Sequence, residues 1–192
     1  MANKLFIFEG PRASGKKTIV TQLISMGLHN IPVYSTRQFK EKDGLAKDLY
    51  KSISRDDFMK QDFLVKTAYK GDYFGVYKKD VQDAMDTRKI SLLIMDANGI
   101  KQIGKLIKQN VFTIYLMTDY VALVDRMLRM GLRNDEIKYH IEYAETNGEF
   151  ENFKSANYVV KNTGQVNAAL EQVLAVMGLM TLPPDEEFKA LI

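Results

Sequence analysis

The chain alternates between short apolar runs and segments whose apolar residues recur at helical spacing. The apolar runs lie at residues 4–9, 31–36, 90–96, 111–117 and 157–162, and each is typical of a buried strand. Helical spacing occurs at residues 16–26, 56–61, 77–87, 100–108, 121–130, 135–147 and 166–177. This alternation predicts an α/β fold in which right-handed crossovers join a parallel sheet of five strands. Residues 181–192 are expected to form a turn and a short helix.

Length and composition are those of an ordinary globular domain. The chain has 192 residues, of which 46% are hydrophobic and 27% charged. Its net charge of +3 is too small to indicate nucleic acid, and no apolar stretch reaches the ~18 residues of a membrane span. The absence of cysteine fits a reducing cytosol. We therefore expect one cytoplasmic domain, monomeric or homodimeric, without nucleic-acid or membrane partners.

The segment after the first predicted strand resembles a phosphate-binding loop. Gly10, Gly15 and Lys16 fit the pattern G-x-x-x-x-G-K, but Lys17 stands where Ser or Thr is expected, and Thr18 follows it. Such a loop holds phosphates with backbone N–H groups at a helix N-terminus, and its lysine reaches the β and γ oxygens. Because an ammonium only donates hydrogen bonds, Thr18 is the expected hydroxyl ligand of Mg²⁺. A glycine turn before a surface helix is the alternative, but the strand and helix on either side favour a nucleotide site.

Later segments add a more specific pattern. The loop reads GPRASGKKT, residues 71–85 read GDYFGVYKKDVQDAM, and residues 92–116 read LLIMDANGIKQIGKLIKQNVFTIYL. VDRMLRMG and NYVVKN follow at residues 124–131 and 157–162. In order and spacing these segments resemble the guanylate kinase family, over most of residues 4–177. FEGP and STRQ also resemble thymidylate kinases, but the D-R-Y of those enzymes is DAN here.

The resemblance implies a P-loop kinase of three layers in three parts. The core would comprise residues 1–35, 91–126 and 147–180, followed by a tail at 181–192. Residues 36–90 would form an insert that binds the acceptor, and residues 127–146 a lid. Enzymes of this family transfer the γ-phosphoryl group of ATP to a nucleoside monophosphate, with Mg²⁺ as the cofactor. The implied partners are ATP and a small phosphorylated acceptor.

On the ATP side, the resemblance assigns the phosphates to the loop. Asp96 ends a predicted strand beside the loop and would join Thr18 in holding Mg²⁺, although it also suits a strand-end turn. Asn162 matches a position that meets adenine, and a turn is its alternative role. The implied ATP-binding residues are Gly10, Pro11, Ala13, Ser14, Gly15, Lys16, Lys17, Thr18 and Asn162.

The catalytic arginines of the family are only partly matched. Arg126 matches the first lid arginine, the second is Met130, and the third falls at His140 after a one-residue gap. Arg129 lies close to Arg126, and we hypothesise that Arg12 of the loop compensates for the loss. A solvated lid face is the alternative for the lid arginines. The expected catalytic residues are Arg12, Lys16, Asp96, Arg126 and Arg129.

On the acceptor side, the resemblance matches only some of the family's phosphate-binding residues. The paired arginines of the family read Arg37 and Lys40, and their tyrosine partners read Tyr50 and Phe74. The glutamate that accepts from guanine falls at Val65, and further polar positions fall at Val76 and Val33. The positions assigned to the acceptor are therefore Arg37, Lys40, Tyr50, Phe74, Val65 and Val76.

The valines argue against ordinary recognition of guanine. Apolar side chains cannot replace a carboxylate that accepts from two donors, a contact that contributes several kcal/mol of discrimination. A misalignment that brings in Glu41 or Asp43 is the alternative explanation. The sequence therefore predicts ATP-dependent phosphoryl transfer of guanylate kinase type to a nucleoside monophosphate, without the usual recognition of guanine and with GMP or another monophosphate as the acceptor. Two further interpretations remain: a P-loop kinase of a non-nucleotide small molecule, and a non-catalytic binding module of guanylate kinase type.

Overall fold

A computed structural model describes residues 2–39 and 49–180. The candidate acceptor residue Lys40, the alternatives Glu41 and Asp43, and the expected helix in residues 181–192 lie outside these ranges.

The centre of the protein is a parallel sheet of five strands, which confirms the predicted fold class. Its spatial order is β2-β7-β1-β8-β9, and all of its strand pairs are parallel. The strands are β1 (Lys4–Glu9), β2 (His29–Asn30), β7 (Ile90–Ile94), β8 (Val111–Met117) and β9 (Tyr158–Lys161). Because β1 lies in the middle, its carboxyl end opens at the centre of the sheet edge.

Helices cover both faces of this sheet, so the fold has three layers. Alternate residues of β1 point to opposite faces: Phe6 and Phe8 enter one buried core, and Leu5 and Ile7 enter another. The helices are α1 (Lys16–Ser25), α2 (Arg55–Lys60), α3 (Lys78–Thr87), α4 (Ala97–Leu106), α5 (Tyr120–Arg129), α6 (Asn134–Thr146) and α7 (Val166–Met177), with a 3₁₀ helix at Glu149–Lys154. The first core includes α1 and α7, and the second includes α3 and α4.

A second, four-stranded sheet lies beside the first. Its order is β4-β3-β6-β5, with β3 (Val33–Ser35), β4 (Tyr50–Ser52), β5 (Phe63–Tyr69) and β6 (Asp72–Tyr77). Strands β5 and β6 form an antiparallel hairpin whose tip is Lys70-Gly71, both at positive φ. Strands β4, β5 and β6 lie within the residues that the sequence assigns to the acceptor-binding insert, whereas β3 lies in residues assigned to the core. The division into core, insert and lid stays a prediction.

The predicted second strand divides between the two sheets. The periodicity placed residues 31–36 in the parallel sheet, but the edge strand there is the two-residue β2, and the apolar run forms β3 of the other sheet. Ile31 and Val33 are both fully or almost fully buried. The sequence therefore indicated their burial correctly, but it placed the strand in the wrong sheet. Within the described ranges, no helix is both long and apolar enough to cross a membrane.

Candidate active site

The phosphate-loop sequence connects β1 to α1 at the centre of the sheet edge. Gly10 has φ 136° and Gly15 has φ 99°. A Cβ on Gly10 would lie 2.9 Å from the carbonyl oxygen of Leu116, and one on Gly15 would lie 2.3 Å from Nδ2 of Asn162. Glycine is therefore required at both positions, by conformation and by space.

The Lys16 ammonium lies inside this loop. Its Nζ donates to the carbonyl oxygen of Gly10 at 2.5 Å and to that of Pro11 at 2.8 Å. The pKa of Lys16 is lowered to about 8, chiefly by burial and also by the nearby charge of Arg12, while Glu149 and Glu9 oppose the shift. The loop thus concentrates a desolvated positive charge where an anionic group would bind.

Sequence reasoning missed Glu9, the last residue of β1. Its side chain is 3% exposed, and burial raises its pKa to about 7, with Lys16 opposing and Asp96 and Glu149 adding to the rise. A charged residue that ends an otherwise apolar strand is an available signal for such a group. The protonation state of this carboxyl group should therefore depend on the charge of a group bound in the loop.

Side chains from other segments hold the loop through hydrogen bonds to its backbone carbonyl oxygens. Asn162 follows β9, and its Nδ2 donates to the carbonyl oxygen of Ser14 at 2.8 Å. Arg126 donates to the carbonyl oxygens of Asn162 at 2.7 Å and Ala13 at 3.2 Å. Thr118, which the sequence did not single out, donates from Oγ1 to the carbonyl oxygen of Asn162 at 3.2 Å. The structure therefore brings Arg126 and Asn162 to the loop, with Arg126 bound to carbonyl oxygens. Their roles towards ATP stay predictions.

The Asn162 Oδ1 atom has a different environment. It is buried and accepts no hydrogen bond within the described residues. A buried acceptor without a donor is unfavourable, by about 1–3 kcal/mol. The amide is therefore suited to accept from an N–H group of a ligand bound at the loop.

Arg12 points from the loop towards the second sheet and α6. Burial lowers its pKa, and the charges that act on it come from Tyr69, Arg37 and Glu136. Its Nε is buried and has no hydrogen-bond partner in the described residues. Arg12 and Arg37 thus place two guanidinium groups in one region, an arrangement that an anion would stabilise.

The hairpin tip contacts α6 beside Arg12. The Tyr69 hydroxyl and Nδ1 of His140 are 2.5 Å apart, and their rings are parallel within 13°. Lys70 lies 3.6 Å from the Glu136 carboxylate. His140 is 3% exposed, and burial together with the charges of Arg12 and Lys70 lowers its pKa to about 4. His140, which the resemblance matches to a lid arginine, is thus a neutral histidine that joins the hairpin to α6.

The candidate acceptor residues form an aromatic cluster on the second sheet. Tyr50 and Phe39 stack with ring centroids 5.0 Å apart, and Phe74 packs edge-on against Tyr50 at 5.9 Å. The Arg37 guanidinium lies 5.4 Å from the centre of the Phe39 ring. Burial raises the pKa of Tyr50 to about 12, so its hydroxyl remains a donor at neutral pH. Arg37, Tyr50 and Phe74 are therefore brought together.

Val65 and Val76 face the interior of the protein. Both are 0% exposed in the core between the two sheets, and Val33 is 3% exposed in the same core. The side chain of Met95 fills the space beside Gly99 in this core. None of the three valines presents a surface to a ligand in this structure.

The other candidate catalytic and metal-binding residues have contacts of their own. Arg129 pairs with Asp125 at 3.0 Å, and its side chain is 79% exposed. The Lys17 ammonium lies 5.0 Å from the centre of the Tyr50 ring, whereas the half-buried Thr18 follows it in α1. Asp96 caps α4, since its Oδ1 accepts from the backbone N–H of Gly99 at 2.8 Å.

A cleft of about 440 Å³ opens beside Asp96, between β5 and α4. Its walls carry three lysines and several uncharged polar groups. The lining residues are Lys66, Thr67, Ala68, Asp96, Asn98, Lys101, Gln102 and Lys105. Within the described ranges, no group of three or more His, Cys, Asp or Glu side chains is arranged to hold a metal ion.

Comparison with known proteins gives a consistent result. The sequence model of the guanylate kinase family matches residues 2–178. A guanylate kinase of Onion yellows phytoplasma (strain OY-M) is 29% identical over 182 residues, covering 90% of this chain and 84% of the relative. A guanylate kinase of Clostridium tetani (strain Massachusetts / E88) is 24% identical over 180 residues, with the same coverage.

Solved structures share the fold. The crystal structure of guanylate kinase from Anaplasma phagocytophilum matches with a TM-score of 0.68 at 15% identity, covering 95% of this chain and 88% of that one. TT1252 from Thermus thermophilus matches with a TM-score of 0.54 at 17% identity, covering 95% of this chain and all of the other.

Proposed function

This chain belongs to the guanylate kinase family, and we propose that it transfers the γ-phosphoryl group of ATP to a nucleoside monophosphate without the usual recognition of guanine. The observation that carries the proposal is the convergence of three cationic groups, two from the phosphate loop and one from the segment after β3. Lys16 lies in the loop, while Arg12 and Arg37 lie together between the loop and the second sheet. Two phosphate-bearing substrates would place their negative charges among these cations.

The donor would bind at the phosphate loop. Backbone N–H groups at the start of α1 and the Lys16 ammonium would hold the ATP phosphates. Asn162 Oδ1, buried without a donor, would accept from the N–H group of the adenine. The existing contacts of Lys16 to the carbonyl oxygens of Gly10 and Pro11 keep its ammonium in the concavity.

Mg²⁺ fits the oxygen donors beside the loop. Thr18 supplies a hydroxyl, and Asp96 has one carboxylate oxygen bonded to the backbone of Gly99 and a second one available for a metal-bound water. When bound with ATP, the ion would neutralise charge on the β and γ phosphates. Two protein ligands are consistent with a metal that is carried mainly by the nucleotide phosphates and water.

Positioning and electrostatics would supply the catalysis. An oxygen of the acceptor phosphate attacks the γ-phosphorus, the bond to the bridging oxygen breaks, and ADP leaves. Arg12 would stabilise the charge on the transferred group, because its guanidinium faces both the loop and the acceptor side. Arg126 would hold the loop in shape through its carbonyl contacts, and its role at the phosphoryl group stays a prediction, as does that of Arg129.

The base of the acceptor would meet different chemistry from that in a guanine site. The positions of the family that recognise guanine are Val33, Val65 and Val76, which are buried in the core between the sheets. Because position 65 is valine, no carboxylate there can accept hydrogen bonds from guanine N1 and N2. A large part of the usual discrimination between guanine and other bases is therefore lost. A second candidate function follows from the same burial, namely phosphorylation of a small phosphorylated molecule that has no base.

A substrate screen tests the proposal. ATP consumption should be measured with Mg²⁺ against every ribo- and deoxyribonucleoside monophosphate, and we expect turnover with at least one other than GMP. A strong preference for GMP would contradict the altered specificity. If no monophosphate is turned over while ATP still binds, the result favours the second candidate or a non-catalytic binding module, and a wider set of phosphorylated small molecules separates these two.

A further inference from the structure

Arg12 depends on its surroundings for its position. The residue is half-buried, and its Nε is buried without a hydrogen-bond partner among the described residues. A guanidinium presents five N–H donors in a fixed plane, so bonds to several of them set its orientation. At Nε such a bond is missing, and the surfaces that enclose the group must therefore help to orient it.

Two such surfaces are the tip of the β5–β6 hairpin and α6. Ala13, the next residue of the loop, packs against the apolar cluster that Ile137 and Ile141 of α6 form with α5. The groups that act electrostatically on Arg12 include Tyr69 of the hairpin and Glu136 of α6. Arg12 therefore lies where the hairpin tip meets α6.

A hydrogen bond joins these two surfaces. The Tyr69 hydroxyl and Nδ1 of His140 are 2.5 Å apart, and the two rings are parallel within 13° at a centroid distance of 5.9 Å. The neighbouring pair of Lys70 and Glu136, at 3.6 Å, is partly exposed to solvent and adds little by itself. Of the polar contacts that the described residues make between the hairpin tip and α6, the bond of Tyr69 to His140 is thus the one expected to hold them together.

We propose that Tyr69 and His140 are positioning residues for phosphoryl transfer, because their hydrogen bond keeps the hairpin tip and α6 around the Arg12 guanidinium. This inference rests on the proposed role of Arg12 and goes beyond it, since it assigns an effect on turnover to two residues that need not touch either substrate. His140 stands at a position that the resemblance matches to a lid arginine. It would thus support an arginine of the loop at the place where the family has an arginine of the lid.

The electrostatics of the pair suit this role. The pKa of His140 is lowered to about 4, chiefly by burial and also by the charges of Arg12 and Lys70. Burial raises the pKa of Tyr69, while the charge of Arg12 opposes the rise. Both side chains are therefore neutral at neutral pH, and the pair holds the two surfaces together without placing a like charge beside the guanidinium.

The alternative is that the pair stabilises the fold and has no effect on Arg12. Tyr69→Phe removes the hydroxyl, His140→Phe removes the ring nitrogens, and His140→Asn keeps a polar atom near the place of Nδ1. Tyr139→Phe is the matched control. It removes a hydroxyl from a tyrosine of α6 that is 40% exposed and whose ring also contacts His140, at 5.4 Å between centroids.

Phenylglyoxal, which modifies accessible guanidinium groups, tests the position of Arg12 without a substrate. Peptide mass spectrometry follows the rate at Arg12, with the exposed Arg88 as an internal reference. We expect Tyr69→Phe and His140→Phe to raise the rate at Arg12 about fivefold, the factor by which the loss of one net hydrogen bond shifts an opening equilibrium. Tyr139→Phe should react like the wild type, and His140→Asn should recover part of the protection. An unchanged rate at Arg12 in Tyr69→Phe and His140→Phe would overturn the proposal.

Kinetics then show whether the pair acts through Arg12. With the acceptor found in the substrate screen, Tyr69→Phe and His140→Phe should each lower kcat about fivefold and leave the KM for ATP within about twofold. In the Arg12→Ala background the same two substitutions should leave kcat within about twofold, because the group they position is absent. Equal losses of kcat in both backgrounds would mean that the pair only stabilises the fold.

The two measurements separate this inference from the proposed function. If no acceptor is turned over, a raised rate of modification at Arg12 still supports its positioning by the pair. If an acceptor is found, an unchanged rate refutes the positioning and leaves the proposed phosphoryl transfer intact.

Discussion

At the scale of single residues, Arg12 is the group on which phosphoryl transfer should depend most. It is the loop residue whose buried Nε lacks a partner among the described residues, and it faces Arg37 and the second sheet. We expect Arg12→Ala to lower kcat by about 100-fold or more, since an arginine that stabilises the transferring phosphoryl group acts mainly on the transition state. The KM for ATP should change little. Initial rates at saturating ATP and acceptor would measure this.

The matched control for this prediction is Arg88→Ala. Arg88 is exposed and follows α3, away from the loop, so its removal should leave kcat unchanged.

Arg129→Ala tests whether the catalytic arginine comes from the loop or from α5. In this structure Arg129 pairs with Asp125 in solvent, and we expect an effect much smaller than that of Arg12→Ala. The reverse order of the two effects would show that α5 supplies the catalytic arginine and that Arg12 does not.

The sequence located the loop but not the surroundings of its charges. Gly10, Gly15 and Lys16 belong to one short motif, so their arrangement follows from the strand–loop–helix pattern alone. The contact between Lys17 and Tyr50 depends on how β4 lies against the start of α1, which no local pattern records. The burial of Glu9 and the pairing of Tyr69 with His140 are likewise products of packing between distant segments.

At the scale of elements, both sheets protect an edge with a glutamine from a neighbouring helix. The Gln102 carboxamide of α4 bonds to the backbone N–H and carbonyl oxygen of Lys66 in β5, each at 3.2 Å. The Gln172 carboxamide of α7 makes the same pair of contacts to Lys161 in β9, also at 3.2 Å. Each glutamine imitates a neighbouring strand and satisfies backbone groups that would otherwise be open to another chain.

This arrangement gives a stability prediction. Gln102→Ala should lower the free energy of unfolding by about 0.5–1.5 kcal/mol, because it leaves an edge residue of β5 without its partners. Denaturant unfolding would measure the loss. Gln82→Ala is the control, since Gln82 is an exposed glutamine in α3 and the change in helix propensity is the same. Equal effects of the two substitutions would mean that the edge contacts add nothing to stability.

Four of the five strands of the parallel sheet were predictable, whereas three of the four described strands of the second sheet were not. The limits expected for residues 4–9, 111–117 and 166–177 agree with β1, β8 and α7, because buried apolar runs and helical spacing are strong local signals. Strands β4, β5 and β6 were missed. Their sequences mix aromatic, charged and glycine residues, and they are stabilised by ring contacts such as Phe58 with Phe63 at 4.6 Å. Such cross-element contacts have no counterpart in local periodicity.

At the scale of the whole molecule, the hairpin of β5 and β6 is joined to α6 by a small set of contacts. The bond between the Tyr69 hydroxyl and Nδ1 of His140 is the shortest of them, and Tyr143 packs edge-on against Tyr69 at 4.8 Å. Arg12 lies beside these contacts. The enclosure of Arg12 therefore depends on whether the hairpin and α6 stay together.

A double-mutant cycle measures this connection. Tyr69→Phe removes the hydroxyl, and His140→Phe removes the ring nitrogen that is bonded to it while keeping a ring of similar size. We expect a coupling free energy of about 1 kcal/mol in unfolding experiments at pH 7. Additive effects of the two substitutions would mean that the bond does not hold the parts together.

Acid should weaken the same connection. The pKa of His140 is lowered to about 4 by burial, with Arg12, Lys70 and Arg37 adding to the shift and Glu136 opposing it. In the unfolded chain it titrates near its ordinary value of 6.5, so between pH 6.5 and 4 the unfolded state binds a proton that the folded state does not. The contribution of His140 to the free energy of unfolding should fall as the pH is lowered through this window. Because His29 also titrates with a lowered pKa and the raised pKa of Glu9 acts in the opposite direction, the His140 contribution is the difference between wild type and His140→Phe. The variant should show the shallower fall; identical pH profiles would mean that protonation of His140 is not resisted by the fold.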